Sequence, residues 1–540
     1  MLIKHPSALR SMPLDPESVV VVGSGAVGLF LAAQLVRRGR QVILLESGGR
    51  ELGYFASNTY SVVGRKNEGI QIGRSRGLGG TSNLWGGCLV EFMPVDLDGR
   101  NWMHGSRWPV RFEELAPFYP PTYEALGFER SVQRDDDVWK AIARTPPDLG
   151  DEVEVLLSRW LNIPNMATLF AAEVEKDPRL IVVLGATVVG LEGDGGRVTA
   201  VKVVDDSGGS HVVRGREVVL VAGTIENTRL LLHSANDADW KCPWSGNDNI
   251  GRLFQDHLGG RVASVRPRDM KAFQNVFSTI AHLGHKFAPR LRLRDEVLQK
   301  EPRLNILGAI NFESSIKENL VFLTQFAKAA LYSRKIGSLK DLVRNILACR
   351  RHVIPLMWKF IVEHRILIPS GSRIVLIVQA EVEPMHESRI TIDSAMPDKV
   401  GLPKVVLDWR LSGRELSDIL DFTRRVDRTL RDAGLADLEI EPALAAADPR
   451  FLDQLIDTYH QVGGCVMGES EADGVVDRDL RVFGTDNLYV AGACTFRTTG
   501  NANTTFTAMT FAMRLAEHLS KLPKSVGVSG VGPVSGAVTG

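Results

Sequence analysis

Three glycines, Gly23, Gly25 and Gly28, follow a four-valine run, Val19–Val22, in the spacing G-x-G-x-x-G. The first permits a tight turn, the second lets backbone approach a pyrophosphate, and the third lets a helix pack closely on its strand. Ala26 opens that helix, whose N-terminus would turn unsatisfied N–H groups and a positive dipole end toward phosphate. Glu46 lies about 20 positions further on, where a carboxylate can accept hydrogen bonds from ribose hydroxyls. The chemistry implied is dinucleotide binding, with NAD and FAD not distinguished by the motif. His282 and His285 form an H-x-x-H pair without a third ligand or a helical H-E-x-x-H, so no metal is assigned.

The elements that must position these residues read as strand, turn, helix and strand. Val19–Val22 is apolar, an amphipathic stretch runs to Arg38, Gly39 stops it, and Val42–Leu45 is apolar again. That unit opens a doubly wound α/β domain. From Leu180 to Ala222, apolar runs broken by glycine-rich turns predict a β-meander returning to a core strand at Val218–Val221. Residues 311–365 turn helical and basic, with ten Lys/Arg against four Asp/Glu. Strand character returns over Ile374–Ile392. Ser412 and Glu415 then form a capping box before a helix with Leu416, Ile419, Leu420, Val426 and Leu430 inward and Gly434 as stop. From Leu522 the chain is rich in Gly, Ser, Val and Pro and is expected to be a disordered tail.

Length and composition bound the rest. At 540 residues, a two-domain enzyme with a large core is expected. Lys plus Arg (64) equals Asp plus Glu (64), so no global field recruits nucleic acid. The five cysteines show no C-x-x-C spacing, which fits a reducing compartment. The first 18 residues lack the apolar core of a secretory signal, and the stretch Val353–Val362 is short and carries Lys359. A cytoplasmic protein without a transmembrane helix is expected.

Further segments carry a resemblance. Arg74-Ser-Arg-Gly-Leu-Gly-Gly-Thr-Ser-Asn-Leu-Trp-Gly-Gly87 resembles the second signature of the glucose-methanol-choline (GMC) oxidoreductases. A loop laid against a flat ring system and a diphosphate must be nearly free of side chains, and this one holds five glycines. Val221–Leu232 is similar to the family's A-G-x-x-x-x-x-x-L-L segment and Asn249–His257 to its G-R-x-x-x-D-H segment. Tyr459–Gly468 resembles the H-P-V-G-T-C-R-M-G block, and Thr498–Thr505 the G-x-x-N-P-T segment. The matches span nearly the whole chain and are weakest between Asp269 and Arg373. Departures are Gln461, Gly464, Val466 and Thr504, where the family has Pro, Thr, Arg and Pro.

The resemblance implies an FAD-dependent alcohol oxidoreductase that passes a hydride to the flavin. Its fold would be an α/β Rossmann-like FAD-binding domain with an interleaved α+β substrate-binding domain, an antiparallel sheet plus helices. The expected segments are 15–115, 171–260 and 456–521 for FAD, 116–170 and 261–455 for substrate, and a tail at 522–540. The cofactor set is Gly23, Gly25, Ala26, Gly28, Glu46, Gly80, Thr81, Asn83, Trp85, Gly86, Gly87, Val188, Ala222, Gly223, Gly492 and Ala493. Asn83 and Leu84 stand where some members carry a flavin-linking histidine, so FAD should be noncovalent. Carried over, His460 is the base and Asn503 the orienting partner. Asn501 would stabilise the loop, and His257 would be structural. A histidine suits the base because its ordinary pKa already lies near working pH.

A disulfide reductase of similar opening would need a second G-x-G-x-x-G and a C-x-x-C, and both are missing. A plain NAD dehydrogenase would not need the Arg74–Gly87 loop. Trp85-Gly-Gly and Trp108-Pro109 look closest to a sugar-oxidising branch resembling pyranose oxidases and glycoside 3-oxidases. A secondary hydroxyl of a sugar, glycoside or cyclitol is therefore the favoured substrate. An apolar alcohol is the alternative, motivated by the basic, apolar stretch 317–365, which could also touch a membrane surface. An inactive flavin-binding protein is the remote one. The partners expected are the alcohol and an external acceptor, dioxygen or another carrier, with no nucleic acid.

Overall fold

The computed structural model describes all residues except 13–14, 237–238, 314–339, 341–342, 345–363, 367, 369–370 and 524–540. Most of the basic stretch 317–365 and nearly all of the expected tail lie outside the described residues.

A six-stranded parallel sheet forms one layer, in the order Leu2–Ile3, Leu180–Val183, Val42–Leu45, Val19–Val22, Glu217–Leu220 and Leu488–Val490. Its central strands read as continuous apolar runs because both faces are covered, and Val19, Val20 and Val21 are wholly buried. Helix Ala26–Arg37 packs against the C-terminal helix Thr504–Lys521, so residues from both ends of the chain build one layer. The strand Leu2–Ile3, paired with Val182 and Val183, was not legible beforehand. Two residues carry no periodicity.

The meander forms as an antiparallel sheet of Thr187–Asp194, Arg197–Val204 and Ser210–Val213. A second large sheet runs in the order Ala436–Ile440, Leu258–Pro267, Arg373–Ala380, Ile306–Glu313, His285–Leu293, Val153–Trp160 and Cys88–Leu89. All of its pairings are antiparallel. Helix Arg414–Asp432 lies over it and buries Ile419, Leu420, Phe422, Val426 and Leu430. The capping box is displaced by one residue. Gly413, in a left-handed conformation, is the cap, and its N–H donates to Glu415 Oε2 at 2.8 Å. Leu416 is consequently only half-buried, while Glu415 is enclosed. Among the described residues no helix is long and apolar enough to cross a membrane.

Candidate active site

The turn after Val19–Val22 is built as the glycine spacing demands. Gly23 has φ +106°, and a Cβ there would meet Val221 O at 2.7 Å. A Cβ on Gly28 would come within 2.0 Å of Gly23 O. Gly25 differs from both. It caps helix Ala26–Arg37 at φ −67°, an ordinary value for any residue, and a Cβ there would meet nothing within 4 Å. No side chain caps this helix and its first turn holds no acid, so its N–H groups are left for a ligand.

Gly25 faces a cavity of about 450 Å³. Its wall includes Gly23, Ala26, Glu46, Gly80, Thr81, Val188, Ala222, Gly223, Gly492 and Ala493. Gly223 and Gly492, like Gly25, have nothing within 4 Å of a built Cβ. Three bare backbone positions around one cleft, beside an uncapped helix N-terminus, form a cradle that side chains would fill. The residues fit a dinucleotide such as FAD lying along the strand ends.

Glu46 has a second task. Its carboxylate accepts from Ser24 N (3.1 Å), Ser24 Oγ (2.6 Å), Gly48 N (2.7 Å) and Gly77 N (3.0 Å). It therefore ties the first turn to the Arg74–Gly87 loop as well as facing the cavity. Within that loop Asn83, Trp85, Gly86 and Gly87 are not on the cavity wall. Asn83 Nδ2 donates to Gly80 O at 2.8 Å, and Trp85 Nε1 to Pro164 O at 2.7 Å. A Cβ on Gly86 would strike Trp160, and one on Gly87 would strike Leu161 and Pro164. Arg74, Arg76, Glu226, Arg229 and Lys399 also line the cavity, and Arg74 is paired with Glu226 at 2.7 Å. Arg74, Arg76, Glu226 and Arg229 lie inside segments matched in sequence, but their shared place on the cavity, with Lys399, is set by the fold.

His460 and Asn503 come together although 43 residues separate them: Asn503 Nδ2 stands 2.9 Å from His460 Nε2. Asn503 occupies the N-cap of helix Thr504–Lys521, yet its side chain makes no capping bond and goes to the histidine instead. Asn501 is buried and turns away, its Nδ2 donating to Asn305 Oδ1 at 2.9 Å. Preceding His460, Tyr459 holds φ +65°, a left-handed conformation that a bulky residue adopts only when its surroundings impose it. The His460 N–H donates to Asp256 Oδ1 at 2.9 Å. Burial, with His257 alongside, pushes the His460 ring down to about 3, so it is neutral, the state a base requires. His257, expected to be merely structural, has Nδ1 3.2 Å from His460 Nδ1. Its only signal in sequence was the G-R-x-x-x-D-H segment. Among the described residues no cluster of His, Cys, Asp or Glu could hold a metal ion.

Comparison with known proteins gives the same direction. Residues 384–512 match the family model for GMC oxidoreductases, and residues 21–72 match the NAD(P)-binding Rossmann-like domain. Fructose dehydrogenase large subunit of Gluconobacter japonicus is 21% identical, covering 93% of this chain and 97% of its own length. The 6'''-hydroxyparomomycin C oxidase of Streptomyces lividus is 23% identical, covering 93% and 92%. In fold, the crystal structure of pyridoxine 4-oxidase from Mesorbium loti superimposes with a TM-score of 0.56 at 18% identity, covering 93% of this chain and 99% of that one. With a glycine cradle at one helix N-terminus and a histidine-asparagine pair brought together from two distant blocks, the chain matches the GMC oxidoreductase model over residues 384–512 and is similar along nearly its whole length to oxidases and dehydrogenases.

Proposed function

We propose that the enzyme oxidises a secondary hydroxyl of a sugar, glycoside or cyclitol to a carbonyl, with FAD bound noncovalently. The observation that carries the reading is the 2.9 Å juxtaposition of His460 Nε2 and Asn503 Nδ2. A substrate hydroxyl that displaces the amide N–H from Nε2 would give its proton to Nε2 and accept a hydrogen bond from the amide. Bound FAD supplies the acceptor for the hydride that leaves the carbinol carbon. His460 is a neutral ring at rest, and negative charge growing on the substrate oxygen raises its proton affinity as the proton transfers. Asn503 orients the oxygen. An external acceptor, dioxygen or another carrier, then takes the electrons.

The sugar reading is supported by relatives named for fructose and for a paromomycin derivative. No described residue adds support for the apolar-alcohol alternative, whose motive lay in 317–365. Noncovalent binding is supported by the absence of a histidine at Asn83 or Leu84. A reducing, cytoplasmic setting is supported by the scattered spacing of the five cysteines, which form no C-x-x-C pair.

Acid precipitation of the purified enzyme should release yellow flavin; colour retained in the pellet would refute noncovalent binding. Anaerobic mixing with fructose, paromomycin-type aminoglycosides, inositol, pyridoxine and an apolar terpenoid alcohol should bleach the flavin fastest with a polyol. His460→Ala should stay yellow and be reduced about 100- to 10,000-fold more slowly, with Asn503→Ala impaired less. Bleaching of His460→Ala at the wild-type rate would remove the base.

A further inference from the structure

His257 is wholly buried, 203 residues away in sequence from the histidine it touches. Its Nε2 lies 2.8 Å from the carbonyl oxygen of Gly500. A carbonyl only accepts, so Nε2 carries the hydrogen. Burial pushes the His257 ring down to about 4, so the ring is neutral and its other nitrogen, Nδ1, is a bare acceptor. The charged group felt by the ring is Glu381, and that carboxylate is engaged by Arg100 at 2.6 Å.

His257 Nδ1 faces His460 Nδ1 at 3.2 Å, with the ring planes at 84°. Two bare ring nitrogens would repel, so the hydrogen between them belongs to His460 Nδ1. Thr458 Oγ1, 2.8 Å from the same nitrogen, can then only accept from it. A donating hydroxyl would leave the two lone pairs opposed. With its proton on Nδ1, His460 has a bare Nε2, which is the nitrogen that receives the Asn503 amide N–H at 2.9 Å. The hydrogens therefore run one way, from Asn503 to His460 to His257 to the Gly500 carbonyl, and the path closes through the four-residue loop Gly500–Asn503.

We propose that His257 is a positioning residue that holds the ring proton of His460 on Nδ1 and so keeps the Nε2 lone pair turned to the substrate hydroxyl. The inference rests on the reading of His460 as base. When His460 takes the hydroxyl proton, its Nδ1–H becomes the hydrogen of an imidazolium, and the bare His257 Nδ1 accepts it more strongly. No proton needs to pass to His257. A residue orienting a functional histidine in this way commonly accounts for about 10- to 100-fold in activity.

The test is the tautomer itself, read from holoenzyme labelled with 15N-histidine. The His460 resonances are assigned by their loss in His460→Ala. Wild type should show Nδ1 protonated and Nε2 bare at neutral pH. His257→Leu removes the acceptor, frees the Thr458 hydroxyl to turn, and should give a mixed or reversed tautomer. His257→Asn places an amide oxygen where Nδ1 stood and should restore the wild-type pattern. With whichever alcohol of the panel reduces wild type fastest, His257→Leu should lower kcat about 10- to 100-fold with KM changed far less, and His257→Asn should recover most of it.

A protonated Nε2 in wild type overturns the proposal, as does a His257→Leu enzyme whose His460 keeps a single Nδ1–H tautomer, whatever its rate. Should the leucine variant not fold, the wild-type spectrum and the asparagine variant still decide. The spectrum needs no substrate, so it separates this proposal from the base reading. His460→Ala reducing at the wild-type rate removes the base and leaves the tautomer assignment standing.

Discussion

Asp256 shows how closely a single buried residue can be bound to His460, the proposed base. It is wholly buried, accepts the His460 N–H at 2.9 Å and is reached by Asn67 Nδ2 at 3.3 Å. Burial, reinforced by the Asp457 carboxylate, pushes it up to about 8. A carboxyl raised on folding contributes stability that is full below its ordinary value near 4 and is lost as pH climbs through 8. Asp256→Asn keeps an oxygen for the His460 N–H and removes the ionisation. Its unfolding midpoint should therefore gain on wild type between pH 5 and pH 9, measured by flavin fluorescence on heating. Parallel profiles would mean that Asp256 is not held protonated.

At the scale of elements, the glycines of the first turn separate into those the fold needs and one, Gly25, that the fold leaves open for the proposed ligand. A Cβ on Gly28 would sit 2.0 Å from Gly23 O, inside the contact of helix Ala26–Arg37 with its strand. Gly25 caps the same helix with open space before it. Gly28→Val should therefore fail to accumulate as folded protein. Gly25→Val should fold with an apo-like circular dichroism spectrum and bind no flavin, because its side chain occupies the pyrophosphate approach. A yellow Gly25→Val enzyme would take Gly25 out of the cofactor site. Asn503 obeys a related logic: a helix N-cap whose side chain is diverted to His460 gives up a capping bond, typically about 1 kcal/mol.

Across the whole molecule, a buried ion pair joins the parts that must meet. Arg100 and Glu381 form two 2.6 Å bonds with their side chains almost fully enclosed. Asn305 N donates to Glu381 at 2.8 Å, Asn305 Nδ2 to Asp96 at 2.8 Å, and Asn501 to Asn305 at 2.9 Å. The network links the segment after helix Pro94–Leu97, the end of strand Arg373–Ala380 and the loop that carries Asn503. Glu381→Ala leaves a guanidinium buried without its partner and should cost about 3–5 kcal/mol. It should lower the unfolding midpoint and slow flavin reduction together. Glu439→Ala, which breaks an exposed pair with Arg266, should change neither. Equal behaviour of the two variants would show that the buried network supports neither the fold nor the loop.

What the sequence determined alone is what local rules govern. The strand-turn-helix at Val19–Arg37 follows from apolar runs and glycine spacing, and the order of blocks along the chain fitted a known family. His460 and Asn503, which the fold brings together, could be named as the proposed pair because each sits inside a motif. The tertiary structure decided the rest, for two physical reasons. Glycine has one signature for every kind of close approach, so Gly86 and Gly87, read as flavin contacts, look no different in sequence from residues packed on Trp160, Leu161 and Pro164, where the fold places them. Hydrogen-bond partners far apart in the chain leave no periodic trace either. His257 meets His460 across 203 residues, and Arg100 meets Glu381 across 281. Which nitrogen of His460 carries the proton depends on both a carbonyl at Gly500 and a ring at His257, and only the folded chain brings them to it.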